Sequence, residues 1–391
     1  MIIKRIRRVI PSRLPLLRQL ARAGAASRLP LMAIAGSSPS TSTSTAKAKR
    51  AAQPRAVAIW LFLCAAAVFA MAVIGAITRL TGSGLSIMEW APITGTLPPL
   101  SQAEWNRVFD LYRQIPQYQL LNHGMSLAEF KTIFWWEWVH RLWGRMIGLV
   151  FLLPFLWFWL RGSLPAWLKP HGFALLGLGA LQGVMGWYMV TSGFADRTEV
   201  SQYRLVLHLS LAVLIYAYML WLAIRLVWPE PLQSPRASAS LRRGLIGLLV
   251  LLGITLASGG FVAGLRAGFS YNTFPLMDGY LIPKGYGLLQ PWISNLFENH
   301  AAVQFNHRLL ASLTVIGCLG IWLWSRGQEL TAAARRAIDA VALMALVQFG
   351  LGIATLLLVV PVSLGALHQA GALVLLGLVL TALYFLRPRY S

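Results

Sequence analysis

The sequence predicts an all-α integral membrane protein with eight transmembrane helices, arranged as two pseudo-symmetric four-helix bundles. Three observations carry this expectation. Hydrophobic residues make up 57% of the 391 positions and charged residues only 12%, with a mean hydropathy of +0.63, a balance that excludes a soluble domain. The apolar residues fall in eight continuous runs, each near the roughly twenty residues a bilayer core needs. An outer-membrane barrel would instead show short alternating segments. Finally, landmarks of the first four runs recur in the last four.

Residues 1–55 are rich in Arg and Lys, lack Asp and Glu, and contain the low-complexity stretch SSPSTSTST at 37–45. This is the composition of a poorly ordered tail. It suits a mitochondrial transit peptide, which is Arg-rich, Ser-rich and acid-free, or a bacterial cytoplasmic tail retained by its charge. The apolar runs follow at about 56–79, 134–160, 171–192, 203–227, 243–264, 299–324, 335–359 and 362–386. They divide the chain into the tail, a first bundle over 56–228 and a second over 242–387. The connections near Arg161–Lys169, Arg225–Arg243 and Arg326–Arg336 are basic, as is the C-terminal end at Arg387 and Arg389. The positive-inside rule therefore puts both termini on the cytoplasmic or matrix side. The net charge of +22 resides largely in this tail and these loops. It reports membrane orientation, and nucleic acid is excluded as a partner.

Two outer loops are long, and loops of that length usually serve as lids or binding surfaces. The first, Leu80–Ile133, opens with the turn-rich GSGLSIMEWAPITGTLPP. Ser101 stands three residues before Glu104, a capping-box spacing, and leads into Trp105, Val108, Phe109 and Tyr112 on one helical face. A short interfacial helix is expected there. Ser126 and Glu129 repeat the spacing before the second span. Trp135, Trp136 and Trp138 at the mouth of that span suit an aromatic belt. The second long loop, Arg266–Glu298, has a similar Gly, Pro and aromatic content. Cys64 and Cys318 lie in apolar runs without ligand-like spacing, which reads as two small buried residues.

The halves match in order. WEWVHR resembles VQFNHR, LQGVMG resembles VQFGLG, and LVLHLSLAVL resembles LGALHQAGALVL. The offsets are 167 from His140 to His307, 166 from Gln182 to Gln348 and 160 from His208 to His368. A unit that crosses the membrane four times and is then duplicated gives two copies running the same way.

Seven histidines occur. His123, His171 and His300 fall in loops or at helix starts and read as interfacial polar residues. His140, His208, His307 and His368 each lie inside an even-numbered span, past its outer end. Even spans are parallel, so His140 can face His208, and His307 can face His368. Ionisable groups within a membrane are expensive and need a reason. Zinc or copper needs further ligands, and the second pair has none to hand. Haem needs only two axial ligands and an apolar slot. Gly144, Gly148, Gly183, Gly186, Gly350 and Gly352 are small enough to admit a macrocycle. Arg141 and Arg308, beside the outer ligands, suit haem propionates. Glu137 lies one turn before His140, whereas Gln304 occupies that place before His307. One site thus carries a carboxylate that can move protons or stabilise developing positive charge. The other does not.

The stretch GAITRLTGSGLSIMEWAPITGTLPP, with EWVHR, VLHLSLA, QFNHR and ALHQAGA, resembles haem A synthase, in particular the mitochondrial and alphaproteobacterial type. The resemblance covers about residues 56–386. It implies an eight-helix membrane oxidoreductase that oxidises the methyl group at porphyrin position 8 of haem O to a formyl group. The haem A so formed is destined for cytochrome c oxidase. By the same resemblance, His307 and His368 hold a haem b cofactor through bis-histidine ligation. His140 and His208 then ligate the substrate haem iron, with Glu137 catalytic beside them. The implied partners are haem O, haem O synthase (the protohaem IX farnesyltransferase), an electron donor and the lipid bilayer. The implied location is the bacterial cell inner membrane, or the mitochondrial inner membrane as the alternative. Some bacterial members carry a cysteine pair in the first outer loop. This chain has none there, which leaves the donor unidentified, with a quinone or a ferredoxin-type protein as alternatives. Two further classes remain open at the level of sequence: a di-haem b-type electron carrier and a haem-binding transporter or chaperone.

Overall fold

The structure, a computed structural model, describes residues 41–91, 94–229 and 239–387, with side chains described from Arg55 onward. Most of the tail, residues 1–40, lies outside the described residues, and with it the expectation of disorder there. From Lys47 onward the chain forms one compact unit; Met1–Ala46 fall in a separate one, of which only the start of the first helix is described.

Eleven helices occur among the described residues. They are α1 (Thr41–Leu80), α2 (Gln102–Tyr112), α3 (Pro116–Leu120), α4 (Leu127–Leu160), α5 (Leu168–Thr191) and α6 (Gln202–Val227) in the first half. The second half contains α7 (Ala239–Gly264), α8 (Asn295–Glu298), α9 (His300–Arg326), α10 (Ala332–Leu357) and α11 (Val362–Phe385). Arg55–Leu80 of α1, together with α4, α5, α6, α7, α9, α10 and α11, are long and apolar enough to cross a membrane, eight spans in all.

One boundary differs from the sequence expectation: helix α1 extends upstream to Thr41, through the end of the polar stretch. Helix α4 begins at Leu127, ahead of its apolar run, capped by the expected Ser126–Glu129 box, which is complete. An apolar run marks only the part of a helix in contact with lipid or core. At 34 residues, α4 measures about 51 Å, well beyond the ~30 Å hydrocarbon layer. Its first two turns protrude and carry a cap. Trp105 of α2 packs edge-on against Phe134 with centroids 4.9 Å apart, and Phe109 stacks on Phe130 at 4.8 Å. Tyr112 is fully buried; it donates to Gln117 Oε1 and accepts from Asn122. Ser101 caps α2 as the sequence predicts, but Glu104 turns its side chain to Arg107, which also pairs with Glu89. Hydrogen bonding to that guanidinium holds both carboxyls below their usual range.

The main apolar core is concentrated at the end of the spans where the first begins and the last finishes. Trp60, Leu61, Phe151, Phe155, Leu222, Leu241, Leu245, Ile338, Tyr384 and Phe385 belong to it. Two indole N–H groups stitch α1 to α4: Trp60 donates to Val150 O and Trp143 to Ala67 O, both at 2.9 Å. The histidines lie toward the opposite end, which leaves that region to close helix approaches and loop contacts.

The two halves meet where α6 packs on α7 and α11. The approach is tightest at Gly264, where a methyl group would lie 2.6 Å from Gln202 Cβ and 2.8 Å from its Cα. Close by, Arg79 donates to Ala263 O and Gly264 O and pairs with Glu199 at 2.5 Å; Glu199 also reaches Arg266. These contacts join the end of α1 to the end of α7. Gly264→Ala is expected to destabilise the protein by about 1–3 kcal/mol through overpacking against backbone that cannot yield. Gly247→Ala, where an added methyl meets nothing within 4 Å, is expected to be neutral or mildly stabilising. Thermal unfolding of the detergent-solubilised variants measures both, and equal melting behaviour would contradict the packing argument.

Candidate active site

His208, His307 and His368 each lie about two turns from the start of α6, α9 and α11, and His140 about two turns deeper in α4 because of its protruding start. Each imidazole is seated against a glycine of the preceding span. A methyl group on Gly75 would lie 3.0 Å from His140 Cε1; on Gly186, 3.1 Å from His208 Cε1; on Gly259, 3.1 Å from His307 Cε1; and on Gly352, 2.9 Å from His368 Cε1. Any side chain there would force the ring to give by a few tenths of an ångström. Gly186 and Gly352 thus lie against the histidines themselves. Gly144 meets Met71, while Gly148, Gly183 and Gly350 have nothing within 4 Å.

The structure brings the second pair together. The His307 and His368 rings are perpendicular, with centroids 6.5 Å apart. A metal-bound imidazole nitrogen lies about 2 Å from the ion, so rings this close could both offer a nitrogen to one iron held between them. Among the described residues no group of three His, Cys, Asp or Glu side chains gathers as a metal site, so each pair offers two donors, the number a haem requires.

Hydrogen bonds set the ring nitrogens. Gln348 Nε2 lies 3.0 Å from His368 Nδ1 and donates to His368 O at 2.8 Å. Gln182 Nε2 lies 3.2 Å and 3.3 Å from the two nitrogens of His208 and donates to its backbone oxygen. Both Gln Oε1 atoms are buried without a partner. Metal binding at Nε2 requires a proton on Nδ1, and turning the carboxamide oxygen toward that proton satisfies the orphaned atom. Ser258 Oγ lies 2.8 Å from His307 Nδ1, whereas His140 Nδ1 is buried without a hydrogen-bond partner.

Glu137 is 3% exposed. Its Oε2 accepts from Ser86 Oγ at 2.8 Å and Ile87 N at 2.9 Å, and its Oε1 accepts from Arg141 Nε at 3.0 Å and Nη2 at 2.6 Å. Gln304, also 3% exposed, donates to Ala267 O at 2.8 Å and to Ser270 O, and accepts from Arg308 at 3.0 Å. Both residues latch an outer loop onto the span below. The first loop presents donors and takes a carboxylate; the second presents carbonyls and takes an amide. Arg141 donates to Ile87 O and Glu89 O, and Arg308 to Tyr271 O and Thr273 O. These arginines hold loop carbonyls beside the outer histidines.

The other histidines stand apart. His123 lies beside Tyr118, His171 bonds Tyr218 OH at 2.6 Å, and His300 starts α9. Cys64 and Cys318 are buried free thiols.

With this geometry in view, the comparisons are specific. The sequence model of the cytochrome oxidase assembly protein family matches residues 58–380. The chain is 54% identical to a haem A synthase of Rhodospirillum centenum over 342 residues, covering 86% of this chain and 90% of that one. It is 54% identical to a haem A synthase of Nitrosospira multiformis over 333 residues, covering 83% and 91%. A haem A synthase of Granulibacter bethesdensis is 50% identical over 334 residues, covering 85% and 87%. The chain belongs to the haem A synthase family. The eight spans make it a multi-pass membrane member of that family.

Sequence reasoning did not assign a role to Gly75, Gly259, Ser258 or the two glutamines. Gly75 and Gly259 precede His140 and His307 by one span each, so aligning the halves span by span signals them. Ser258 carried no signal, because its equivalent in the first half is Ile74. If a haem A synthase holds haem between His307 and His368, Gly352→Ala, which pushes His368 out of its seat, is expected to lower the haem retained per protein. Gly320→Ala, with nothing within 4 Å, is expected to retain it. Absorbance of the purified proteins measures this, and equal haem content would contradict the seating argument.

Proposed function

We propose that this chain is the membrane oxidoreductase that converts haem O to haem A for cytochrome c oxidase. The reaction oxidises the methyl group at porphyrin position 8 to a formyl group by successive hydroxylation and loss of water. The observation that carries this reading is the matched pair of histidine couples, each ring backed by glycine, in a chain of the haem A synthase family.

His307 and His368 would hold a resident haem b, which when bound supplies one-electron redox chemistry. His140 and His208 would hold the substrate haem. Glu137 is supported as the catalytic group of the first site because its counterpart Gln304 bears no charge. All four of its contacts come from donors, which favours fixed negative charge that stabilises a cationic centre over proton delivery. The eight spans form two four-helix bundles in this reading, with both termini in the cytoplasm and the histidine end outward across the bacterial inner membrane. Haem O would come from haem O synthase, and electrons from a separate donor.

Placing both histidine couples at one end argues against a carrier that moves electrons across the membrane, since such carriers stack one haem near each face. Three measurements test the proposal. Membranes containing this chain and haem O synthase are expected to yield haem A or its hydroxymethyl intermediate by chromatography of extracted haems; haem O alone would refute the activity. His307→Ala or His368→Ala is expected to remove haem b from the purified protein. Glu137→Gln is expected to stop formyl formation while haem binding persists. Ser86→Ala loosens the same loop latch without touching the charge and is expected to retain turnover. Equal loss in Glu137→Gln and Ser86→Ala would reduce Glu137 to a loop anchor.

A further inference from the structure

We infer that Ser258 is a positioning residue that commits His307 to metal binding, and that the first half lacks its equivalent, so the two histidine couples hold haem with unequal strength. The inference rests on the haem reading proposed above. It adds the residue that fixes the second couple in advance and has no counterpart in the first.

A serine hydroxyl carries one proton. Ser258 Oγ donates to Thr255 O at 2.7 Å, and His307 Nδ1 lies 2.8 Å from the same oxygen. With the serine proton committed to Thr255 O, that oxygen accepts from the Nδ1–H tautomer of His307, the tautomer that leaves the Nε2 lone pair for a metal. A partner that accepts from Nδ1–H fixes the ring orientation and raises the basicity of the ligating nitrogen. Ser258 is itself held in register. One turn away, buried Thr255 and Thr314 join α7 to α9 through their hydroxyls at 2.9 Å.

The glycine seats align the halves. Gly259 corresponds to Gly75, so Ser258 falls at Ile74 and Thr255 at Met71; His307 corresponds to His140, so Thr314 falls at Ile147. All three polar groups are replaced by apolar ones, and His140 Nδ1 is buried without a partner. The second members differ in the same sense. Gln348 addresses His368 at Nδ1, whereas Gln182 lies almost equally far from both nitrogens of His208. An enzyme whose substrate and product are both haems needs one haem that remains and one that departs. The second half has imidazoles fixed in advance for a resident haem. The first half has imidazoles that are not, which suits a haem that must be released.

The test uses the full-length protein in detergent and follows haem transfer to excess apomyoglobin, together with the midpoint potential of the bound haem. A His140→Ala background isolates the second site. There, Ser258→Ala is expected to release haem about 10–100-fold faster and to raise the midpoint potential, because the axial imidazole donates less. Ser258→Thr, which keeps the hydroxyl, is expected to match the parent in both. In a His307→Ala background, Ile74→Ser is expected to slow haem release from the first site. Parental release and potential in Ser258→Ala would overturn the inference, as would unchanged release in Ile74→Ser. Should Ser258→Ala fail to fold, the Ile74→Ser gain decides the matter alone. If His307→Ala still holds haem at the second site, the underlying site assignment fails instead, a separable result.

Discussion

An imidazole among apolar helices must find its partners within the protein, because the bilayer offers none. His208, His307 and His368 find side-chain partners in Gln182, Ser258 and Gln348, and all four histidines share one packing device: each lies against a glycine on the span before it. The contact brings two helices close at the level of the ring and sets the depth of each histidine. The loops above and the core below are arranged around it. The largest cluster of buried side chains gathers at the far end of the spans, where Trp60 and Tyr384 each donate to a backbone carbonyl while their rings pack in the core. The histidine end is held instead by close approaches and hydrogen-bonded latches.

Those latches show how duplication tolerates divergence. Glu137 and Gln304 occupy equivalent places and both fasten an outer loop, each with help from the arginine four residues on. A carboxylate can only accept, so the first loop offers the Ser86 hydroxyl and the Ile87 amide. An amide can donate, so the second loop offers carbonyls of Ala267 and Ser270. A change of residue type at one place thus required a change of loop polarity at another. The carboxylate serves the fold and is also the group whose charge distinguishes the first site chemically. A buried ion pair of this kind is costly to break from either side, because the remaining charge is stranded.

Much of this was legible beforehand. Eight spans followed from hydropathy, since lipid exposure selects apolar residues over a length set by the bilayer. The four histidines followed from their recurrence at near-constant offset, and the Glu137–Gln304 inequality from setting EWVHR beside QFNHR. The cap of α2 on Trp105, Phe109 and Tyr112 followed from helical periodicity, and the Ser126 box from its spacing. The apolar run alone marks α4 only from near 134, because its first turns pack on the aromatic cap; the Ser126 box supplies the earlier start. That Arg141 and Arg308 hold loop carbonyls was not legible, because sequence places them beside the histidines without showing which loop folds over them.

By itself, then, the sequence determined the membrane class, the number of spans, the internal repeat, the four histidines and the family. The first four are properties of composition, periodicity and spacing along one chain, and the family followed from the resemblance of its motifs. Only the tertiary structure decided which glycine seats which ring, that His307 and His368 meet at right angles, and that Glu137 latches a loop as well as charging a site. It alone set the serine hydroxyl against His307 and left His140 Nδ1 without a partner. The reason is directional. Hydrogen bonds and close approaches between helices depend on which faces of separate spans are turned together, and no period within a single span encodes that choice.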